Sequence, residues 1–180
     1  MVKLKIEGKT YKMASDWSEV TIKQYVEIQQ IIKGEDKSEL IRLVKFISVL
    51  SGVELDLLMN INLEDFQQID ISWLLEPIKP QIKNIIVIDG KRYGMIKDMK
   101  KLSLGEYVDL DHLITDVDNN LHKVCAILCR LIVQEDGELY IIEKYDGNNI
   151  EERAKLFYEK MNIVQLSSVT NFFLGSVNGL

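Results

Sequence analysis

His122, Cys125 and Cys129 stand at i, i+3 and i+7 within an apolar helical pattern, and their donor types are those of a soft metal site. Spacing argues against a single ion. Seven residues of helix advance about 10.5 Å along the axis, whereas zinc draws its ligands in to about 2.0–2.3 Å. All three are therefore expected to pack in a core. Asp116, Asp118 and Asn120 imitate the first three ligand positions of a calcium loop, but Leu121 stands where that loop requires glycine and Ile127 where it requires the bidentate glutamate. A solvated loop capping the next helix is the expectation there. Asp109 and Asp111 are two apart on a helical segment and fall on different faces, so they do not form a paired acid and base. His112 and His122 have no serine or cysteine partner pattern. No glycine-rich phosphate loop, GxSxG elbow or HExxH helix occurs. The residues thus point to a non-enzymatic protein, with no catalytic, cofactor-binding or metal-binding residue nominated and no cofactor expected.

Charge narrows the partners. The 180 residues carry 22 basic and 28 acidic side chains, a formal net charge of -6, which supplies no general attraction to nucleic acid or to anionic membranes. One basic run, Lys91, Arg92, Lys97, Lys100 and Lys101, reads as a solvated hairpin and loop face. Tyr11, Tyr25, Tyr93 and Tyr107 resemble a base-stacking set, but hairpin packing and helix stapling account for them. Neither nucleic acid nor membrane is an expected partner. Two cysteines four apart give no disulfide framework, and the first residues lack the apolar core of a signal peptide, so synthesis in a reducing cytoplasm is expected.

The elements that must position these residues are written twice. Residues 2–33 and 84–115 superimpose without a gap at an offset of 82 (88 minus 6). Identical columns are Ile6/Ile88, Gly8/Gly90, Lys9/Lys91, Tyr11/Tyr93, Met13/Met95, Asp16/Asp98, Tyr25/Tyr107, Val26/Val108 and Ile32/Ile114. Chance would supply roughly two such matches. Each copy alternates apolar and polar residues around a Gly-Lys turn, which predicts a hairpin. A capping box follows, Thr21 with Gln24 and Ser103 with Glu106, with Val20 and Leu102 placed to staple onto Tyr25 and Tyr107.

Beyond the boxes, Ser38 opens an apolar core helix that Gly52 ends, and at an offset of 81 its pattern recurs as Leu40/Leu121, Leu43/Val124, Phe46/Ile127, Ile47/Leu128 and Leu50/Leu131. A short helical segment is expected at 53–59. Asn62 is then read as capping a helix that carries Phe66, Ile69, Trp73 and Leu74. At an offset of 100, Ile69/Val169, Trp73/Phe173 and Leu74/Leu174 pair, so about 19 residues (100 minus 81) are inserted in the second copy. The insertion reads as a hairpin at about 134–149 turning at Asp136-Gly137, after which Asn149 with Glu152 is read as capping a helix to Met161. The expected fold is α+β and mainly helical, two tandem related half-domains, each a small β-hairpin followed by three to four α-helices. Its domains are 1–76, a Pro-containing joint at 77–83 in which Pro77 and Pro80 stop helix formation, and 84–180. Function is expected where the copies differ, at 134–149. Exposed strand edges invite pairing between hairpins or with a neighbouring subunit.

The run WSEVTIKQYVEI (17–28), with LIRLVKFISVLSG (40–52) and LEDFQQI (63–69), resembles a pattern common among tailed-bacteriophage morphogenesis proteins. AILCRLI (126–132), EKYDG (143–147), EERA (151–154) and NFFL (171–174) are similar to segments in proteins of gut Bacteroides-type phages. The resemblance implies a virion component of the tail or head-tail connector that contacts other phage structural proteins and forms a ring-type homo-oligomer. The alternative it implies is a tail assembly chaperone, soluble and absent from the finished particle. A small cytosolic regulatory or ligand-binding module built on the same repeat is the reading of a different class.

Overall fold

A computed structural model describes the chain except Lys37, Pro80, Ile82, Glu138 and residues 178–180, and except the side chains of Val117, Asp118 and residues 174–177. Pro80, Asp118 and Leu174, which figure in the readings above, therefore lie wholly or in their side chains outside the described residues. The chain divides into two compact units, Met1–Ile78 and Lys79–Leu180. Both are α+β, each opening with a hairpin and continuing into helices.

Unit 1 begins with β1 (Val2–Ile6) and β2 (Lys9–Met13), antiparallel with Ile6 opposite Lys9. Their two-residue loop, Glu7 and Gly8, takes positive φ at both positions (47° and 77°), the geometry that matches the twist of a hairpin. Asp16 caps a 3-10 turn, and Thr21 then caps α1 (Ile22–Lys33) with the expected box, Gln24 N donating to Thr21 Oγ1 and Thr21 N to Gln24 Oε1 at 3.0 Å. Ser38 caps α2 (Glu39–Ser51), and Gly52 ends it in the left-handed region at φ 69°, a conformation that costs a side-chain-bearing residue. Val44, Ile47 and Leu50 of α2 are buried with Leu4, Ile6, Met13 and Ile28. Two short helices follow, α3 (Leu55–Met59) and α4 (Leu63–Gln67), the latter capped by Asn62. The single helix expected to carry Phe66 through Leu74 is broken. Trp73 and Leu74 sit on a separate 3-10 turn, because the Asp70 carboxylate accepts from Ser72 N at 2.9 Å and holds the backbone in a local turn instead.

Unit 2 repeats the opening. β3 (Ile85–Ile88) pairs with β4 (Lys91–Met95) about the loop Asp89-Gly90, whose φ values of 48° and 75° match those of the first copy. Asp98 caps a 3-10 turn, and Ser103 with Glu106 forms the box of α5 (Leu104–Ile114). The core helix α6 (Val117–Leu128) then stops earlier than its sequence match with α2. The column of Gly52 holds Val133 (52 plus 81), so no left-handed terminator is present, and Cys-Arg-Leu-Ile-Val leaves the helix as β5 (Cys129–Asp136). Tyr93 pairs with Leu131, Gly94 with Arg130 and Met95 with Cys129, so β5 extends the hairpin sheet, and β6 (Leu139–Ile142) completes the order β3-β4-β5-β6. The hairpin expected at about 134–149 thus runs from Cys129 to Ile142, with a bulge between Ile132 and Gln134.

The helix α7 (Ile150–Lys160) is not capped by Asn149, whose side chain makes no cap hydrogen bond. Asp146 caps the preceding 3-10 turn through Asn148 N at 3.0 Å, and that turn runs directly into the helix. A further capping box opens α8 (Ile163–Val177), with Gln165 N donating to Asn162 Oδ1 at 2.9 Å and Asn162 N to Gln165 Oε1 at 3.1 Å. Asn62 and Asn162 are 100 apart, so the cap is shared at that offset even though α8 is continuous where the first copy breaks.

Candidate interaction surfaces and the polar cluster behind them

The residues singled out for chemistry do not converge. α6 ends at Leu128, so Cys129 opens a strand in extended conformation (φ -116°, ψ 115°) and shares no helical face with His122. Cys125 and Cys129 are fully buried, and burial pushes the first thiol well up and the second up to about 12. His122 is half-buried with its ring centroid 5.1 Å from that of Tyr158, and burial, then Lys123, holds its imidazole below the ordinary value. The calcium-like stretch is no loop. Asp116 precedes α6, accepting from Asn119 Nδ2 at 3.0 Å on both carboxylate oxygens, and positions 118 and 120 are already helical. Among the described residues no three His, Cys, Asp or Glu side chains gather in a way that could hold a metal ion. No helix among them is long and apolar enough to cross a membrane.

The four recurrent tyrosines part company. Tyr93 is buried edge-on against Phe157 at 5.1 Å and Tyr25 stands edge-on to Trp17 at 6.0 Å, while Tyr107 is 60% exposed. In the basic run, Arg92 pairs with Glu135 of β5 at 2.6 Å and Lys97 lies 4.3 Å from the centre of the Tyr140 ring. Lys91, Lys100 and Lys101 are exposed.

A polar cluster that motif reading missed supports the inserted hairpin. Glu106 Oε2 accepts from Ser103 N at 2.6 Å to close the capping box, and its Oε1 lies 2.7 Å from Arg130 Nη2, with side-chain exposures of 5% and 9%. The contact is close but not aligned as a hydrogen bond, and Arg130 Nε carries none. Burial lowers the Arg130 pKa and Glu106 opposes that shift. Tyr145 stacks its ring 5.9 Å from the Arg130 guanidinium and donates its hydroxyl to Asp109, and burial with that carboxylate pushes the phenol upward. Arg153 pairs with Glu143 and donates Nε to Ala126 O at 2.8 Å, tying α7 to α6 and to the end of β6. Across β5, Tyr140 donates its hydroxyl to Met95 O at 2.7 Å and its ring covers Gly94. A glycine inside a strand is the one sequence signal that could have announced this close approach, since the matching column of the first copy is Lys12 (94 minus 82).

Among the described residues several surface features stand out. On the inserted hairpin, Val133, Leu139 and Ile141 are 61%, 69% and 56% exposed. In unit 1, a groove of about 200 Å³ is lined by Leu40, Ile41, Met59, Leu63 and Phe66. A second cavity of that unit, about 550 Å³, runs along the whole of β1 and is faced by Asn62, Asp65, Gln68 and Asp70. In unit 2, a cavity of about 440 Å³ is bordered by Asp109, His112, Lys123 and Glu151, but Asp109 is engaged by Tyr145 and Lys123 pairs with Glu151 at 2.9 Å.

Compared with known proteins, the chain matches no family model, no curated protein and no solved structure.

Proposed function

We propose that this chain is a non-enzymatic assembly protein of a tailed bacteriophage, a tail or head-tail connector component of the virion that works through protein-protein contacts in several copies. The observation that carries the reading is the inserted hairpin. It projects Leu139 and Ile141 from one face of an edge strand, and a buried ion pair and the Tyr140 anchor fix its base. Large apolar side chains on a rigidly held edge are contact material rather than chemistry. The phage-like segments quoted above supply the biological setting.

A second reading, the tail assembly chaperone, draws on the apolar groove of unit 1, which is suited to shielding an apolar helix of a client before polymerisation. Mass spectrometry of purified particles beside infected-cell lysate separates the two. Peptides of this chain at structural-protein abundance in intact virions are expected. Abundance in lysate with absence from virions would replace the virion component by the chaperone, and a stoichiometric small ligand on the purified protein would sink both.

A further inference from the structure

In a hairpin closed by a two-residue loop, the flanking residues exchange both of their hydrogen bonds and the pattern alternates from there. Ile6 is opposite Lys9, so Ile6, Leu4 and Val2 direct their backbone N–H and C=O groups at β2, while Lys3 and Lys5 direct theirs away. Strand β1 lines the cavity of about 550 Å³, which Asn62, Asp65, Gln68 and Asp70 also line. It is an open ladder beside room for an added strand. Unit 2 holds the counterpart, because β6 ends its sheet and among the described residues no strand pairs with its outer edge.

Charge matches the two hairpins. On a chain of net charge -6, residues 1–13 carry four lysines against one glutamate, and residues 134–143 carry four acidic residues and no basic one. Lys3, Lys5, Lys9 and Lys12 are exposed and take part in none of the ion pairs of the described residues. Lys3 also stands directly opposite Lys12 across the strands, a like-charge arrangement that disfavours the isolated hairpin and that an acidic neighbour relieves. On the other side, Glu135 and Glu143 are occupied by Arg92 and Arg153, whereas exposed Asp136 has no ion-pair partner among the described residues.

From these observations we infer that the acidic β5–β6 hairpin of a second copy of this chain docks on β1, β6 adding edge to edge to the strand that presents Lys3 and Lys5. The inference rests on the assembly reading above and names its self-contact. It also sets Leu139 and Ile141, which the single chain leaves exposed, beside the side chains of β1. Unit 1 of one copy meets unit 2 of the next, so the contact is heterologous and each added copy presents the same two edges again.

The test is sizing with light scattering on the full chain over a wide concentration range. Mass rising above the monomer is expected. Lys5→Pro removes only an outward N–H and leaves the bonds of Ile6 and Leu4 to β2, so it should weaken association by about tenfold or more with circular dichroism unchanged. Lys3→Glu with Lys5→Glu should weaken it by a similar factor, about tenfold, and Asp136→Lys in the same chain should recover part of the loss. A chain that stays monomeric at every concentration overturns the inference, as does association indifferent to both the proline and the charge reversal. Should Lys5→Pro fail to fold, the charge-reversed pair and its compensation decide alone. Either failure leaves the virion-composition experiment to judge the proposed function independently.

Discussion

Glu106 reaches Arg130 at 2.7 Å in the same pair of columns where, in unit 1, Gln24 Nε2 reaches the backbone oxygen of Val49 at 3.0 Å. The correspondence is 24 plus 82 and 49 plus 81. In both units the residue that closes the capping box uses its second polar atom to tie the first long helix to a segment further along the chain, α2 in unit 1 and β5 in unit 2. The first copy does this with a neutral amide and a carbonyl. The second does it with a buried ion pair, and that substitution has energetic consequences.

Removing one member of a buried pair leaves the other charged and desolvated, so Arg130→Ala should cost about 3–5 kcal/mol. Arg130→Met combined with Glu106→Leu should cost far less, leaving mainly the lost cap at about 1 kcal/mol. Urea denaturation of Arg130→Met, Glu106→Leu and the double variant closes the cycle, and additive losses would contradict the coupling.

Gly94 has no room for a methyl group. A Cβ there would meet Tyr140 Cε2 at 2.4 Å and Ile142 Cγ2 at 2.9 Å, and the Tyr140 ring is held by its hydroxyl bond to Met95 O. Gly94→Ala should therefore destabilise by about 1–3 kcal/mol. Pairing it with Tyr140→Ala should return less than the sum of the two single losses in thermal melts.

Asp146 and Asn149 compete for the role of cap to α7, and only Asp146 accepts from a backbone N–H. Asp146→Ala is expected to cost about 1 kcal/mol and Asn149→Ala less than half of that, about 0.5 kcal/mol or below. Equal losses in chemical denaturation would contradict the assignment.

His122 gives the fold an acid sensitivity. Burial and Lys123 lower its pKa in the folded chain relative to the unfolded value of 6.5, so the unfolded state binds the proton more readily. Its contribution is complete above that value and is lost as pH falls through the folded pKa. His122→Phe should flatten the decline in melting temperature between about pH 7.5 and 5.5, and an unchanged slope would assign the decline to other groups.

Both thiols should be inert in the native protein. Cys125 and Cys129 are 0% and 1% exposed, and burial raises both of their pKa values. A thiol-reactive dye at mildly alkaline pH should label neither cysteine in the folded chain and both after denaturation. Rapid native labelling would show that the α6–β5 junction opens.

Local interactions were legible in the sequence. The two-residue turns at Gly8 and Gly90, the boxes at Thr21 and Ser103, and the Gly52 terminator all depend on residues within a few positions of one another, so composition and spacing determine them wherever the segment lies. That is why the duplication predicts two units of the same design. What the sequence could not settle is where a helical pattern yields to a strand. Cys129 to Val133 continues the apolar period of α6, yet the chain straightens there because β4 offers an unpaired edge, tied by Ile96 N to Leu128 O at 2.9 Å, and pairing along it satisfies backbone groups that helix would otherwise satisfy. The same long-range event carries Arg130 to Glu106 and Tyr140 to Gly94, residues 24 and 46 positions apart (130 minus 106, 140 minus 94). Tertiary structure alone decided these contacts, because their partners become neighbours only after the added strand has chosen the sheet over the helix.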